Sequence, residues 1–252
     1  MTPDLSARSS FRTIDRPYLF LTLLCLPVFA IATFTSWHWE ITPDDSYYYF
    51  TIARELVDNG ILSFDGQTLA SGFHPLWLAF CTFVYFVAGE ALPRAINVVA
   101  LACYIAYALF WYLSLKRLEM EENARRVLFA FGVVNAPIAF AAFSGMETSL
   151  VLAAAAGFFY TLVRTIEKPD YNPYWLSGAV AVLFLARLDS LLFAAPVLAW
   201  LSLRDIRRLF VPMLILGGVV AGYMAASYFV FGSLVPSSTS ALRLIWYPGW
   251  LE

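Results

Sequence analysis

Apolar runs cover residues 17–36, 74–89, 94–115, 127–143, 148–163, 174–186, 188–203 and 209–231, with short polar segments between them. A helix rises 1.5 Å per residue, so about 20 residues cross a 30 Å hydrocarbon core. Most of these runs predict membrane-crossing helices, some of them short. The run 74–89 has 16 residues and reaches only about 24 Å, which suits a thin region or a helix lying in the interface.

The polar residues between the runs decide which. Basic residues cluster at Arg8, Arg12 and Arg16; at Lys116, Arg117, Arg125 and Arg126; at Arg164 and Lys168; and at Arg204, Arg207 and Arg208. If 74–89 does not cross, all four clusters fall on one face and hold 12 of the 16 basic residues. If it does cross, three clusters move outward and only 6 basic residues remain inside. Cytoplasmic loops carry the excess of Lys and Arg. The expectation is therefore seven crossings, a cytoplasmic N-terminus, and one external loop, 37–93, whose segment 74–89 lies in the outer interface. Ala30-Ile31-Ala32 resembles a signal-peptidase site. The run before it is longer than most signal h-regions, so an uncleaved anchor is expected. Residues 1–16 form a polar tail and 17–252 a single membrane domain.

The external loop opens with Pro43-Asp44-Asp45-Ser46-Tyr47-Tyr48-Tyr49. Ser46 is a candidate N-cap for a helix running to about Asp58. Tyr49, Ile52, Ala53, Leu56 and Val57 form its apolar stripe, and Asn59-Gly60 its C-terminal stop. Such a helix lies on the membrane surface. Phe64-Asp65-Gly66-Gln67 reads as a turn, and His74-Pro75 as the start of the interfacial helix.

Composition agrees with this class and excludes others. Of 252 residues, 61% are hydrophobic and 13% charged, and the net charge is −2. Soluble domains carry about a quarter charged residues. Disordered, nucleic-acid-binding and disulfide-scaffold classes are excluded. Cys25, Cys81 and Cys103 are widely spaced in apolar runs and read as small buried hydrophobes.

Candidate chemistry gathers on the outer face. Asp44 and Asp45 precede a helix N-terminus, where the dipole favours carboxylates. They read either as solvated caps or as a general base or metal ligand. Glu147 lies in Ser144-Gly145-Met146-Glu147-Thr148, and Arg187 and Asp189 in Arg187-Leu188-Asp189-Ser190. Alone, these acids suit helix capping, and Arg187 suits an ion pair with Asp189 or Glu147. Together they converge on one leaflet, and ionisable groups near a membrane mark sites. His74 is either a structural residue at a helix start or a proton-transfer group. His38, between Trp37 and Trp39, reads as an interface anchor.

These motifs resemble the GT-C glycosyltransferase superfamily. Asp45, Tyr49 and Ile52-Ala53-Arg54 are similar to the start of its first external loop, as in protein O-mannosyltransferases and lipid A aminoarabinose transferases. The fuller string through Gly72-Phe73-His74-Pro75-Leu76-Trp77, Ser144-Gly145-Met146-Glu147-Thr148 and Arg187-Leu188-Asp189-Ser190 looks closer to bacterial polyprenyl-phosphate-sugar-dependent transferases, the arabinofuranosyltransferase-like group included. The resemblance covers about 17–240.

The resemblance implies an all-α polytopic membrane protein of about seven transmembrane helices, with interfacial juxtamembrane helices in its first external loop. It implies a catalytic base at Asp45, with Asp44 as runner-up, a second acid at Glu147, and Arg187 on the donor phosphate. Asp189, His74, Trp77, Tyr48 and Tyr49 would contact sugar or lipid. The donor would be a polyprenyl-phosphate-linked sugar in the plasma (inner) membrane, and the acceptor a glycan, lipid or protein at the periplasmic or extracellular face. Some members use a divalent cation (Mg or Mn), which Asp45 and Glu147 would share; others do not. Two departures stand out: Ser46 replaces the usual glutamate, and relatives continue for several more spans. A truncated product, a minimal member and a half completed by a partner subunit all remain open. The competing class is a transporter or non-catalytic membrane subunit, which predicts broken helices in paired halves and polar mid-span residues. Pro137, Pro196, Pro212 and Gly217-Gly218 do interrupt spans, but charges avoid the span centres and no inverted repeat is visible.

Overall fold

The computed structural model describes residues 16–23, 26–35, 43–168 and 170–233. Arg8, Arg12, Cys25, the Trp37-His38-Trp39 segment and everything from residue 234 onward lie outside the described residues. Regular structure within them is helical, apart from one isolated antiparallel bridge between Ser63 and Leu69. The helices are α1 (Arg16–Leu23), α2 (Leu26–Thr35), α3 (Asp44–Asn59), α4 (Pro75–Ala88), α5 (Leu92–Leu115), α6 (Glu122–Val133), α7 (Ala136–Ala142), α8 (Thr148–Glu167), α9 (Tyr174–Ala186), α10 (Leu191–Arg204) and α11 (Ile206–Phe231).

Three helical stretches are long and apolar enough to cross a membrane: Pro75–Leu115, Thr148–Glu167 and Ile206–Phe231. The pair α6 and α7, bent by 44°, makes a fourth if it is one span. The first stretch has 41 residues, or about 60 Å of helix, twice a hydrocarbon core. It is interrupted at Gly89, whose φ of 54° and ψ of −133° are not helical. The 24 residues of α5 alone cover about 36 Å.

Run 127–143, expected as one span, is two helices. Asn135 accepts a hydrogen bond from the Ile138 N–H and caps α7, and Pro137 occupies its first turn. The break leaves the last carbonyls of α6 without helical partners. Tyr104 donates to the Val133 carbonyl at 2.6 Å and Tyr107 to the Gly132 carbonyl at 2.9 Å, so two hydroxyls of α5 satisfy them.

The bundle has two chemically different ends. At one, Tyr18 of α1 donates to Glu122 of α6 (2.9 Å), Arg117 pairs with Glu167 (2.9 Å), and Arg125 donates to the Leu115 and Met120 carbonyls. Arg208 donates to the carbonyls of Thr165, Lys168 and Tyr171, tying the start of α11 to the turn after α8. The basic clusters after α5, after α8 and before α11 thus share one end. Helices α5, α8 and α9 connect it to the opposite end, where α3, α4 and the turns before α8 and after α9 meet.

Two elements of the segment 43–74 match the sequence pattern. Helix α3 stops at Gly60 in the left-handed region (φ 70°), whose N–H bonds the Glu55 carbonyl. In the turn after it, Asp65 accepts from the Gln67 and Thr68 N–H groups and from the Ser63 and Thr68 hydroxyls, which holds its carboxyl well below the usual carboxylate range. The start of α3 differs from expectation. The helix begins at Asp44 after Pro43, and Ser46 lies inside its first turn. Ser46 is fully buried and donates to the Ser144 carbonyl at 2.9 Å. It anchors α3 to another part of the chain and does not cap it.

Candidate functional site

The turn Ser144–Glu147, between α7 and α8, organises the polar end. Its shape depends on Gly145, whose φ of 85° lies in the region that favours glycine. A Cβ there would come within 3.0 Å of Phe50 Cζ and 3.3 Å of Ser46 Cβ, both on α3. The carbonyl of Gly145 accepts the Trp77 indole N–H at 3.1 Å. Trp77 is fully enclosed, so its ring fixes α4 against this turn. The same turn therefore receives α3 through Ser46 and α4 through Trp77.

It delivers Glu147 to the position just before α8. The side chain is almost wholly buried, with 3% of its surface exposed. A buried carboxylate is costly unless cations or donors meet it. Glu147 Oε1 lies 3.4 Å from His74 Nε2 and 3.5 Å from Arg187 Nη1. Glu147 Oε2 meets no hydrogen-bond donor among the described residues.

His74 is held on three sides. Its backbone N–H donates to the Tyr49 hydroxyl (3.2 Å), and its Nδ1 accepts a long hydrogen bond from the Leu188 N–H (3.5 Å). An Nδ1 that accepts carries no proton, so the neutral ring places its proton on Nε2, toward Glu147. Burial pushes the imidazole below its ordinary value of 6.5; Glu147 pulls the other way and Arg187 adds to the depression. The Tyr49 hydroxyl lies beside the same carboxylate. Burial, then the Glu147 charge, raise its proton affinity far above an ordinary phenol's.

Arg187 ends α9. Its Nε donates to Asp189 Oδ1 at 2.9 Å, and this bond, chiefly, raises the guanidinium pKa. Both side chains are about half exposed, so the pair forms the solvent rim of the site. Glu147 is its enclosed floor.

Of the residues singled out in the sequence, Glu147, His74, Tyr49, Arg187 and Asp189 form one connected group. Asp44 and Asp45 are exposed in the first turn of α3, next to Ser46 and its bond to the Ser144 carbonyl. No ion pair or hydrogen bond of the described residues links their carboxylates to Glu147. Tyr48 stacks on Phe64, with centroids 5.4 Å apart. Among the described residues no three His, Cys, Asp or Glu side chains converge to hold a metal ion, so a cation shared by Asp45 and Glu147 finds no third ligand there.

Sequence reasoning read Ser46 as a cap and Gly145 only as part of a turn motif, whereas both bring the elements together. A buried serine inside an amphipathic helix carries no pattern that names its distant partner. It also passed over Asn97 of α5, which is buried with both amide atoms lacking partners among the described residues. A polar amide within an apolar run was the available signal.

No family model, no curated protein and no solved structure matches the chain.

Two measurements check this construction. In detergent melts, Gly145→Ala is expected to cost about 2–4 kcal/mol, combining left-handed strain with overpacking against α3. Gly60→Ala, whose Cβ meets nothing within 4 Å, is expected to cost only about 1–2 kcal/mol. Equal losses would contradict the close approach at Gly145. The second concerns pH. A depressed histidine pKa means that the unfolded state binds more protons than the folded state just below pH 6.5. Stability is full above that value and falls as the pH drops toward the depressed pKa. His74→Gln is expected to flatten this acid-side loss, and an unchanged slope would contradict the neutral, buried imidazole.

Proposed function

We propose that the protein is a membrane glycosyltransferase that moves a sugar from a polyprenyl-phosphate donor to an acceptor hydroxyl at the outer membrane face, with inversion. The observation that carries this reading is Glu147, a buried carboxylate with one oxygen that meets no donor among the described residues, braced by His74 and Arg187 beside the helix that presents Asp44 and Asp45. The motif resemblance supplies the substrate class; the site supplies an acid, an arginine and a solvent-facing rim at one end of an apolar bundle.

In this reading the bundle crosses seven times, the broken α6–α7 and the short α9 and α10 included. Its basic end faces the cytoplasm, as the excess of Lys and Arg favours. The separation of basic loops from the Glu147 cluster supports that orientation.

The proposed reaction assigns each group one task. Asp45 takes the proton of the acceptor hydroxyl, and its exposure gives it access to an incoming acceptor. The acceptor oxygen forms a bond to the anomeric carbon as the bond from that carbon to the phosphate oxygen breaks on the opposite face. Arg187 receives the departing polyprenyl phosphate in a charge-assisted contact. Its present bond to Asp189 orients the guanidinium at the rim, and Asp189 has the exposure to yield it to a phosphate. Glu147 holds His74 and Arg187 in place.

Membranes containing Asp45→Asn, inserted at wild-type level, are expected to lose about 10²–10⁴-fold in transfer from a polyprenyl-phosphate sugar. Arg187→Gln is expected to lose about 10²–10³-fold. Transfer retained in Asp45→Asn would overturn the base assignment, and absence of transfer by the wild-type protein from any polyprenyl-phosphate sugar would overturn the reaction class.

A further inference from the structure

A second feature lies between α8 and α9, beside Phe110 of α5. An apolar groove of about 590 Å³ runs from Leu150 near the start of α8 to Tyr171 in the turn after it. Its walls are low because small residues build them: Ala153, Ala154 and Gly157 on α8, Gly178 and Ala179 on α9. A Cβ on Gly178 would meet nothing within 4 Å, so the space beside it is open.

The groove is chemically polarised. Leu150 and Ala153 close one end with hydrocarbon. At the other end stand the rings of Tyr160 and Tyr171, each carrying a guanidinium: Arg117 lies 5.8 Å from the Tyr160 centroid and Arg164 lies 4.9 Å from the Tyr171 centroid. Arg117 is already paired with Glu167. Arg208 is occupied by three backbone carbonyls. Arg164 differs: its Nε is buried and has no acceptor among the described residues. Lys168 is exposed one turn further along. The acids nearby in sequence are Glu167, held by Arg117, and Asp170, exposed in the turn. Beside that end, Arg164 stacks on the groove-lining Tyr171 and Lys168 is exposed just past α8, so positive charge stands next to a groove whose apolar walls run along α8 and α9.

We propose that this groove holds one anionic phospholipid of the surrounding membrane, an acyl chain between α8 and α9 and the headgroup phosphate on Arg164 and Lys168. Basic pockets between membrane helices on the cytoplasmic side recognise anionic headgroups in this way. A zwitterionic lipid has the same chains but carries its own cation beside the phosphate, so it gains less from the pair of basic side chains. The site lies at the end opposite Glu147 and does not depend on which reaction occurs there.

The test uses the full chain reconstituted in nanodiscs of equal phosphatidylglycerol and phosphatidylcholine with identical acyl chains, followed by native mass spectrometry of retained lipid. Wild type is expected to keep one phosphatidylglycerol in clear preference to phosphatidylcholine. Arg164→Gln and Lys168→Gln are each expected to reduce that preference roughly fivefold. Arg164→Lys, which keeps the charge, is expected to retain most of it. Gly178→Leu, whose side chain enters open space, is expected to displace the lipid while leaving the melting temperature close to wild type. Retention of both lipids at the bulk ratio by wild type, or an undiminished preference in the double Arg164→Gln/Lys168→Gln protein, would overturn the proposal.

Discussion

A carboxylate buried in an apolar bundle is the constraint from which the polar end of this protein is built. Glu147 cannot be enclosed without positive or donating partners nearby. Those partners come from separate parts of the chain: His74 from the start of α4 and Arg187 from the end of α9. Tyr49 of α3 lies beside it, and the Leu188 N–H steadies the imidazole. One acid therefore specifies where four elements meet. The neutral contacts do the closer fitting, with Ser46 and Trp77 both bonded to the turn that carries Glu147.

The opposite end uses charge differently. Its cations are spent on helix ends: Arg125 and Arg208 donate to backbone carbonyls at the ends of α5 and α8 and in the turns after them, and Arg117 pairs with Glu167. The same residue types that give a chain its orientation in a membrane also close its helix ends. Arg164 stands apart, stacked on Tyr171 with a buried nitrogen that has no acceptor among the described residues.

Much of this was legible in the sequence because the signals are local. The run at 174–186 reappears as α9 without change, and 74–89 as α4 to within a residue at each end. Gly60, the Asp65 turn and Pro75 act where their backbone chemistry requires. Placing helix ends on one face grouped Asp44, Asp45, Glu147, Arg187 and Asp189; Glu147, Arg187 and Asp189 meet there together with His74, while Asp44 and Asp45 stay outside the group. What was not legible depends on distant partners. Ser46 had the features of a cap, yet its hydroxyl bonds a carbonyl 98 residues away. Run 127–143 looked continuous because its hydropathy is continuous; the break at Asn135 rests on one side-chain cap and on tyrosines from α5. Hydropathy also counted more crossings than helix length supports directly, since α9 and α10 have only 13 and 14 residues.

The central claim is that the Glu147 cluster and the basic helix ends lie on opposite sides of one membrane. Single cysteines in a background lacking the native three, at Asp189→Cys beside the cluster and at Glu119→Cys and Asp170→Cys beside the basic loops, test it with a membrane-impermeant maleimide on intact cells. Labelling is expected at position 189 alone, with 119 and 170 reacting only after permeabilisation. Labelling of 119 and 189 from the same side would contradict it.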